Sequence, residues 1–314
     1  MTRAFLFPGQ GSQQVGMGKT LADAFPAARA VFQEVDEALS QNLSRIMWDG
    51  PEGDLTLTEN AQPAIMAASM AVIRVLEAEG GLDIAKHAAL VAGHSLGEYS
   101  ALCAAGAFTL ADTARLLKIR GQAMQAAVAP GEGAMTALIG ADIETAEAVA
   151  KEASAGGGVC VVANDNAPGQ VVISGSADAV ARAGEIAKAK GVKRAIPLSV
   201  SAPFHCPLMQ PAADAMRDAL AKVSVRAPAA PVLANVTAAL VSEPDMIRRL
   251  LVEQVTGRVR WRESIASLRS LGVETCVEMG GNKVLTGMVK RIDKDLATIS
   301  LDTPAEIEAF AKGL

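Results

Sequence analysis

The chain has 314 residues, and half of them are hydrophobic, which is enough to build a sizeable core in two lobes or one large domain. Lys and Arg number 29 against 34 Asp and Glu, a net charge of −5, and only 3% of residues are aromatic, so the chain lacks the basic stripes and stacking rings of nucleic-acid-binding proteins. The longest stretch without a charged residue, 195–213, contains four prolines and is a poor membrane span. The four cysteines lack the spacing of zinc sites or disulfide frameworks. Taken together, these features predict a soluble, cytoplasmic protein with no metal, membrane or nucleic-acid partner.

The residues before 130 predict alternating strands and helices. A buried strand at 4–7 ends at Pro8-Gly9, and apolar residues at helical spacing follow at 16–39. Gln62-Pro63 introduces the next helix. After it come a strand-length apolar run at 88–92, a helix at 97–105, and a longer helix that starts at Thr109 or Asp112 and reaches about Val128.

The segment 130–199 has its own order of predicted strands and helices. Its pattern predicts, in order, a strand at 133–140, a helix at 142–153, strands at 159–163 and 170–174, a helix at 177–190 and a strand at 193–200. This βαββαβ order is the split ferredoxin-like pattern. We therefore predict an α/β fold in which 130–199 forms a small ferredoxin-like lobe. Residues 1–129 and 200–314 form a large, discontinuous, α/β hydrolase-like lobe with a mostly parallel sheet, with further strands at 232–235 and 275–279.

The segment Gly93-His-Ser95-Leu-Gly97 is a G-x-S-x-G motif between a predicted strand and a predicted helix. In that setting the glycines permit a strained turn that exposes the serine oxygen, and the helix N-terminus offers backbone N–H groups to an oxyanion. The alternative is an ordinary turn serine. The context favours a nucleophile at Ser95.

A serine nucleophile needs a base, and the chain has only three histidines. The side chain of His94 adjoins that of Ser95 and is expected to diverge from it, and His87 precedes the strand and is expected to be solvated. His205 lies in a loop held by Pro203 and Pro207 at the junction of the lobes. Elimination favours His205 as the base, although a lone histidine is more often structural. Cys206 is expected to be a buried, unactivated thiol.

Arg120 falls inside an apolar stripe of the helix 111–128 that includes Leu116, Leu117 and Met124. A buried guanidinium is costly unless an anion meets it. That anion is either an internal Asp or Glu or a carboxylate of the substrate, whose shape suits the planar fork of arginine.

These motifs occur in order with several others, and together they closely resemble the malonyl-CoA:acyl carrier protein transacylases of bacterial fatty acid synthesis. The segments that carry the resemblance across almost the whole chain are Phe7-Pro-Gly-Gln10-Gly-Ser-Gln, Gly93-His-Ser-Leu-Gly-Glu98-Tyr99, Arg120-Gly-Gln-Ala-Met, Val171-Val-Ile-Ser-Gly175, Pro203-Phe-His205, Leu251-Val-Glu-Gln254 and Glu278-Met-Gly-Gly281.

The resemblance implies a role for each matching residue. Ser95 would be acylated, His205 would act as its base, and Arg120 would hold the malonyl carboxylate. Backbone N–H groups at Gln10 and Leu96 would form the oxyanion hole, and a backbone carbonyl near Gln254 would orient the histidine in place of an acidic residue.

Two further features bear on the acyl group and on the partner; the first follows from the resemblance and the second from charge and helical spacing. Leu96 and Phe204 flank the acyl group and imply selectivity for malonyl, since related methylmalonyl-selective domains tend to carry Gln and Ser there. The predicted helix at 283–291 carries Lys283, Lys290 and Arg291 near one face, where an acidic carrier protein could dock. A merely solvated face is an equal alternative.

The reaction implied is ping-pong transfer of malonyl from malonyl-CoA to the phosphopantetheine thiol of acyl carrier protein, for fatty acid synthesis, with no metal or redox cofactor. A serine hydrolase, which would release the acid to water, and a catalytically idle binding module are the two alternatives. The predicted burial of Arg120 favours a carboxylate-bearing acyl group over the hydrolase. The presence of Ser95, His205 and Arg120 together argues against an idle module.

Overall fold

The structure, a computed structural model, describes residues 2–200 and 202–314, whose strands form two sheets. The larger sheet has the strand order β10-β9-β1-β2-β7-β8. Its strands are β1 (Arg3–Phe7), β2 (Leu90–Gly93), β7 (Val232–Ala234), β8 (Ala239–Val241), β9 (Thr275–Met279) and β10 (Ala297–Leu301). All neighbouring pairs are parallel except β7 and β8, which form an antiparallel edge.

Strand β1 lies inside this sheet because its residues are apolar on both faces. Ala4, Phe5, Leu6 and Phe7 are fully buried, and successive side chains belong to two different hydrophobic clusters, one on each face. Phe7 pairs in register with Gly93 of β2, so the loops that follow both strands begin side by side.

Helices cover both faces of the larger sheet. They are α1 (Lys19–Ala24), α2 (Pro26–Leu39), α3 (Leu43–Asp49), α4 (Glu52–Thr56), α5 (Thr58–Gly80), α6 (Ile84–His87), α7 (Gly97–Ala104), α8 (Leu110–Ala126), α11 (Gln210–Leu220), α12 (Pro244–Thr256), α13 (Trp261–Ser267), α14 (Val284–Ile292) and α15 (Pro304–Ala311), with a 3₁₀ turn at Pro207–Met209. Among the described helices, α5 alone is long and apolar enough to cross a membrane, but 83% of its apolar window is buried within the fold. It packs as a core helix against α2 and α8.

The smaller sheet is antiparallel and has the order β4-β5-β3-β6. Its strands are β3 (Gly133–Ile139), β4 (Cys160–Ala167), β5 (Gln170–Ser176) and β6 (Arg194–Pro197). Two helices belong to the same segment: α9 (Ile143–Ala155) follows β3, and α10 (Ala177–Ala189) follows β5. The prediction of a mostly parallel α/β sheet with a βαββαβ insertion is confirmed. The boundaries that we predict for the two lobes stay a prediction, and every strand of the smaller sheet lies within 130–199.

The structure corrects several local predictions. The helix predicted at 16–39 is two helices, because Phe25 adopts an extended backbone and Pro26 starts α2. Helix α5 begins at Thr58, before the predicted start at Gln62-Pro63, and contains Pro63. Strands β8 and β10 escaped prediction, since β8 has only three residues and four of the five residues of β10 are not buried.

Candidate active site

Ser95 sits in a strained turn between β2 and α7. Its φ is 53°, in the left-handed region that serine seldom adopts. A Cβ at Gly93 would lie 1.9 Å from the backbone of Gly97, and a Cβ at Gly97 would lie 2.2 Å from the carbonyl oxygen of Phe7. Both glycines are therefore required for the turn, which brings Ser95 to the carboxyl end of the larger sheet.

His205 contacts this serine although the two residues are 110 positions apart in the sequence. Its Nε2 lies 2.8 Å from Ser95 Oγ, and its Nδ1 lies 2.9 Å from the backbone oxygen of Gln254. The carbonyl can only accept, so Nδ1 carries the proton and Nε2 is left to accept from the serine hydroxyl. Burial, together with the nearby Arg120 cation, lowers the pKa of His205 to about 3. The imidazole is thus neutral, which is the form that can accept the serine proton.

The other two histidines are engaged elsewhere. His94 Nε2 bonds Asn166 Oδ1 at 2.8 Å, and its ring meets the edge of Trp261. His87 is half-buried, not solvated as predicted, and its Nδ1 accepts from the backbone N–H of Asp83. The thiol of Cys206 is buried and donates to the carbonyl of Pro203, and burial raises its pKa. This geometry supports the choice of His205 by elimination.

Arg120 is 1% exposed and lies on the buried stripe of α8 that the sequence predicts. Its Nη1 donates to Gln62 Oε1 at 2.8 Å, and its Nη2 donates to Gln254 Oε1 at 2.8 Å and to Ser95 Oγ at 3.1 Å. No carboxylate of the described residues lies within ion-pair distance of the guanidinium. The internal salt bridge considered as an alternative is therefore not formed.

Two backbone N–H groups beside Ser95 are free to bind an oxyanion. Gln10 follows β1, between Gly9 and Gly11, and Leu96 precedes the first residue of α7. Neither N–H donates to a protein atom within the described part of the chain. A Cβ at Gly9 would lie 2.7 Å from the carbonyl oxygen of His94, so a glycine there lets the Gln10 loop approach the turn of Ser95.

Gln62, Asn235 and Glu98 also belong to the site, and sequence reasoning gave them no role. Asn235 Oδ1 accepts from the Ser95 N–H at 2.8 Å, and its Nδ2 donates to the carbonyl of Gly93 at 2.7 Å. The side chain of Gln254 also acts, since Nε2 donates to the carbonyl of Ser95 at 2.9 Å. Asn235 ends the predicted strand at the sheet edge where Ser95 lies, a position that places it near the serine but does not give its role.

A cavity of about 370 Å³ opens over the serine, between the two sheets. Leu96 and Phe204 line it, as do Gln10, Arg120 and His205, while Met135 and Val172 come from the smaller sheet. Three residues of α14 also line it: Val284, Leu285 and Met288.

Of the three basic residues predicted to dock a carrier, Lys290 is exposed near the end of α14. Lys283 lies just before the helix, 3.9 Å from Glu306. Arg291 donates to Gln170 Oε1 at 2.6 Å and to the carbonyl of Pro168 at 3.2 Å.

An α/β fold with a serine on a tight strand-to-helix turn, a neutral histidine and converging N–H donors defines the class of serine-dependent acyl-transfer enzymes. The acyl transferase domain family matches residues 4–301, and the chain belongs to this family. It is 46% identical over 305 residues to the malonyl CoA-acyl carrier protein transacylase of Bacillus subtilis, covering 97% of this chain and 95% of that protein.

Solved structures agree with this membership. The acyl-carrier-protein-S-malonyltransferase of Bartonella henselae superposes with a TM-score of 0.97 at 58% identity, covering 100% of this chain and 99% of that one. A malonyl-transacylase solved in complex with a type II PKS acyl-carrier protein superposes with a TM-score of 0.95 at 41% identity, and each chain is covered completely.

Proposed function

We propose that this enzyme transfers the malonyl group of malonyl-CoA to the phosphopantetheine thiol of acyl carrier protein, through a malonyl-Ser95 intermediate, and so supplies fatty acid synthesis. The names of the relatives support the substrate and the acceptor, and the complex of a related transacylase with a carrier protein supports the partner.

One observation in the site carries the proposal. The guanidinium of Arg120 is buried, has only neutral hydrogen-bond partners, and lies 3.1 Å from the nucleophile. A malonyl group on Ser95 would carry its carboxylate two bonds beyond the acyl carbonyl carbon, within reach of this cation. Arginine binds a carboxylate through two parallel N–H bonds, so the site favours a short acyl group with a terminal acid.

In the first half-reaction Ser95 Oγ attacks the thioester carbonyl while its proton passes to His205 Nε2. The N–H groups of Gln10 and Leu96 bind the developing oxyanion. The intermediate collapses, the C–S bond breaks, and coenzyme A leaves with the proton from His205. The Gln254 carbonyl stabilises the imidazolium through Nδ1 during this step.

In the second half-reaction the carrier thiol gives its proton to His205 and attacks the malonyl-serine. As the tetrahedral intermediate collapses, the ester C–O bond breaks, protonated His205 returns the proton to Ser95 Oγ, and malonyl leaves as the thioester of the carrier protein. The acyl carbon keeps its oxidation state throughout, and side chains and backbone groups supply every proton transfer and oxyanion contact, so the proposal includes no metal or redox cofactor. The four free, buried cysteines suit a reducing compartment and support a cytoplasmic location.

The alternative of a serine hydrolase differs only in the acceptor. A hydrolase would pass the acyl group to water, whereas a transferase must hold a water-resistant malonyl-serine until a thiol arrives. The apolar lining from Leu96 and Phe204 and the anchoring cation favour such a held intermediate.

Mass spectrometry of the intact protein after brief incubation with malonyl-CoA tests the proposal. We expect one malonyl adduct, on Ser95, that persists in buffer and disappears when holo-carrier protein is added. The Ser95→Ala variant should keep the wild-type melting temperature and take up no adduct. Loss of the adduct to buffer at the rate seen with the carrier would identify a hydrolase, and a malonyl adduct on Cys206 would refute the assignment of the nucleophile.

A further inference from the structure

Glu98 is a buried carboxylate that the proposed chemistry does not use. It lies in the first turn of α7, three residues after Ser95, and is 2% exposed. No cation of the described residues lies within ion-pair distance of it, and its hydrogen-bond partners are neutral. Its Oε2 accepts from Gln254 Nε2 at 2.8 Å and from the backbone N–H of Asn235 at 3.2 Å.

The contacts of Gln254 allow only one orientation of its amide. Nε2 faces Glu98 Oε2 and the carbonyl oxygen of Ser95, which are both acceptors. Oε1 faces Arg120 Nη2, which can only donate. An inverted amide would set oxygen against oxygen on one side and N–H against N–H on the other. Glu98 therefore helps to determine which atom of Gln254 meets the arginine.

We propose that Glu98 is a positioning residue that acts through Gln254 to keep Arg120 hydrogen-bonded and yet unpaired. Direct contact between Glu98 and Arg120 would make an ion pair that a substrate carboxylate would have to break. With the Gln254 amide between the two side chains, the guanidinium is held in place by a neutral oxygen, and its charge stays available to the acyl group. This inference rests on the proposed function, since it concerns the residue that selects malonyl.

The same oxygen of Glu98 also serves the nucleophile. Glu98 Oε2 accepts from the backbone N–H of Asn235, and the side-chain Oδ1 of Asn235 accepts from the backbone N–H of Ser95. A disturbance through Asn235 would slow transfer of every acyl group. A disturbance through Gln254 and Arg120 would slow acyl groups with a carboxylate more than neutral ones, so the ratio of kcat/KM for malonyl-CoA to that for acetyl-CoA separates the two routes.

The test compares two variants of similar length. Glu98→Gln places an amide oxygen where Oε2 lies and can accept both N–H bonds, so we expect a malonyl-to-acetyl ratio within about threefold of wild type. Glu98→Met removes the acceptor, and we expect the ratio to fall about tenfold or more, the scale of one hydrogen bond to a charged group.

Two further variants complete the design. Glu278→Met is the matched control: Glu278 is also a buried acceptor of two N–H groups, those of Leu285 and Thr286, but it lacks contact with Gln254. It should lower the melting temperature and change both substrates equally. Gln254→Met should lower the ratio, and adding Glu98→Met should lower it no further, because Glu98 acts through Gln254.

Each outcome is decisive. Independent, multiplicative losses in the double variant would overturn the proposal, as would an unchanged ratio in Glu98→Met. If Glu98→Met does not fold, Glu98→Gln and Gln254→Met decide together: a lost ratio in Glu98→Gln, or an unchanged ratio in Gln254→Met, would overturn the proposal. Absence of malonyl-serine in the wild type would instead refute the proposed function, which the adduct assay reports separately.

Discussion

Arg120 holds a positive charge that its direct partners do not neutralise. Burying a guanidinium with neutral hydrogen-bond acceptors costs several kcal/mol relative to a paired one. Gln62, Gln254 and the face of Tyr99, whose centroid is 5.6 Å from the guanidinium carbon, offset part of that cost. The remainder is recovered when an anionic acyl group binds, which makes the residue a specificity determinant in the proposed reaction.

Arg120→Ala should therefore harm substrates unequally. Malonyl transfer should lose about 2–5 kcal/mol of transition-state stabilisation, the scale for removing one side of a desolvated ion pair. Acetyl transfer should hold steady or improve, because a neutral acyl group leaves the wild-type guanidinium unpaired. Parallel kcat/KM measurements with malonyl-CoA and acetyl-CoA check this.

Arg120→Lys is the companion variant and should recover only part of the malonyl rate, since an ammonium lacks the two-pronged geometry. Equal losses for both substrates in Arg120→Ala, with a lower melting temperature, would assign the residue to the stability of the fold.

His205 gives the enzyme a distinctive pH dependence. Its pKa is lowered to about 3 by burial and by Arg120, so the neutral base persists far below the ordinary histidine value of 6.5. The acid limb of kcat/KM for acetyl-CoA should then lie well below pH 6.5. In Arg120→Ala one cause of the lowered pKa is gone, and the limb should shift to higher pH. A limb near pH 6.5 in both proteins would contradict this account.

Ser95 and His205 could be predicted from the sequence because each depends on local context: a glycine-bounded turn and a proline-held loop. The roles of Gln62, Asn235 and Glu98 could not. Each is defined by partners from distant segments, such as Asn235 with Ser95, and a single polar residue carries no periodic signal of such a partner.

At the scale of elements, α14 connects the cavity to the protein surface. The buried carboxylate of Glu278 accepts from the N–H groups of Leu285 and Thr286 and so fixes the start of the helix, whose apolar side lines the cavity. Arg291 ties the other end to Gln170 and Pro168 of the smaller sheet. Lys290 remains exposed, which makes it the cleanest residue for testing carrier docking.

Lys290→Glu should weaken the carrier half-reaction several-fold and leave acylation by malonyl-CoA unchanged, because acidic carrier proteins are attracted by local basic groups. The loss should shrink as ionic strength rises. Lys222→Glu, an exposed lysine beyond the end of α11, makes the same change in net charge and is the control. Equal effects of the two variants would reject the patch, and Arg291→Glu is less informative because it also breaks the contact with Gln170.

Some elements with a continuous apolar run or strong helical spacing were predicted from the sequence almost to the residue, as β9 and α10 show, whereas β4 extends to Ala167, beyond the strand end predicted at 163. Errors arose where one residue changed the backbone inside an apolar pattern, as Phe25 does between α1 and α2. Strand β10 was missed because its position at the sheet edge leaves most of its residues partly exposed, which removes the hydrophobic signal.

At the scale of the whole molecule, the two sheets are joined beside the cavity. Asp165 N–H donates to the carbonyl of Val259, and the Val259 N–H donates to Ala163, so strand β4 pairs briefly with the segment before α13. Arg262 of α13 donates to both carboxylate oxygens of the fully buried Asp165. The neighbours of Asp165, Asn164 and Asn166, line the cavity.

Arg262→Ala should lower the free energy of unfolding by about 1–3 kcal/mol, because it leaves the Asp165 carboxylate buried without its partner. Denaturant titration checks this, and the kcat for malonyl transfer should fall as well. Arg258→Ala is the control, since the side chains of its pair with Glu147 are 30% and 51% exposed and the pair should contribute less than about 1 kcal/mol. Equal destabilisation by both variants would show that the buried carboxylate is satisfied by other means.

The position of β1 in the sheet has a consequence for how the protein is made. One edge of β1 pairs with β2, but the other pairs with β9, whose residues lie some 270 positions later in the chain. During translation, one edge of this apolar strand stays unpaired until nearly the whole chain has been synthesised. A chain interrupted before 275 would expose that edge to other strands and need a chaperone to stay unaggregated. The same order applies to the site: His205 and Gln254 emerge long after Ser95, so a nascent chain that already contains the serine still lacks the histidine that contacts it and the carbonyl that orients this histidine.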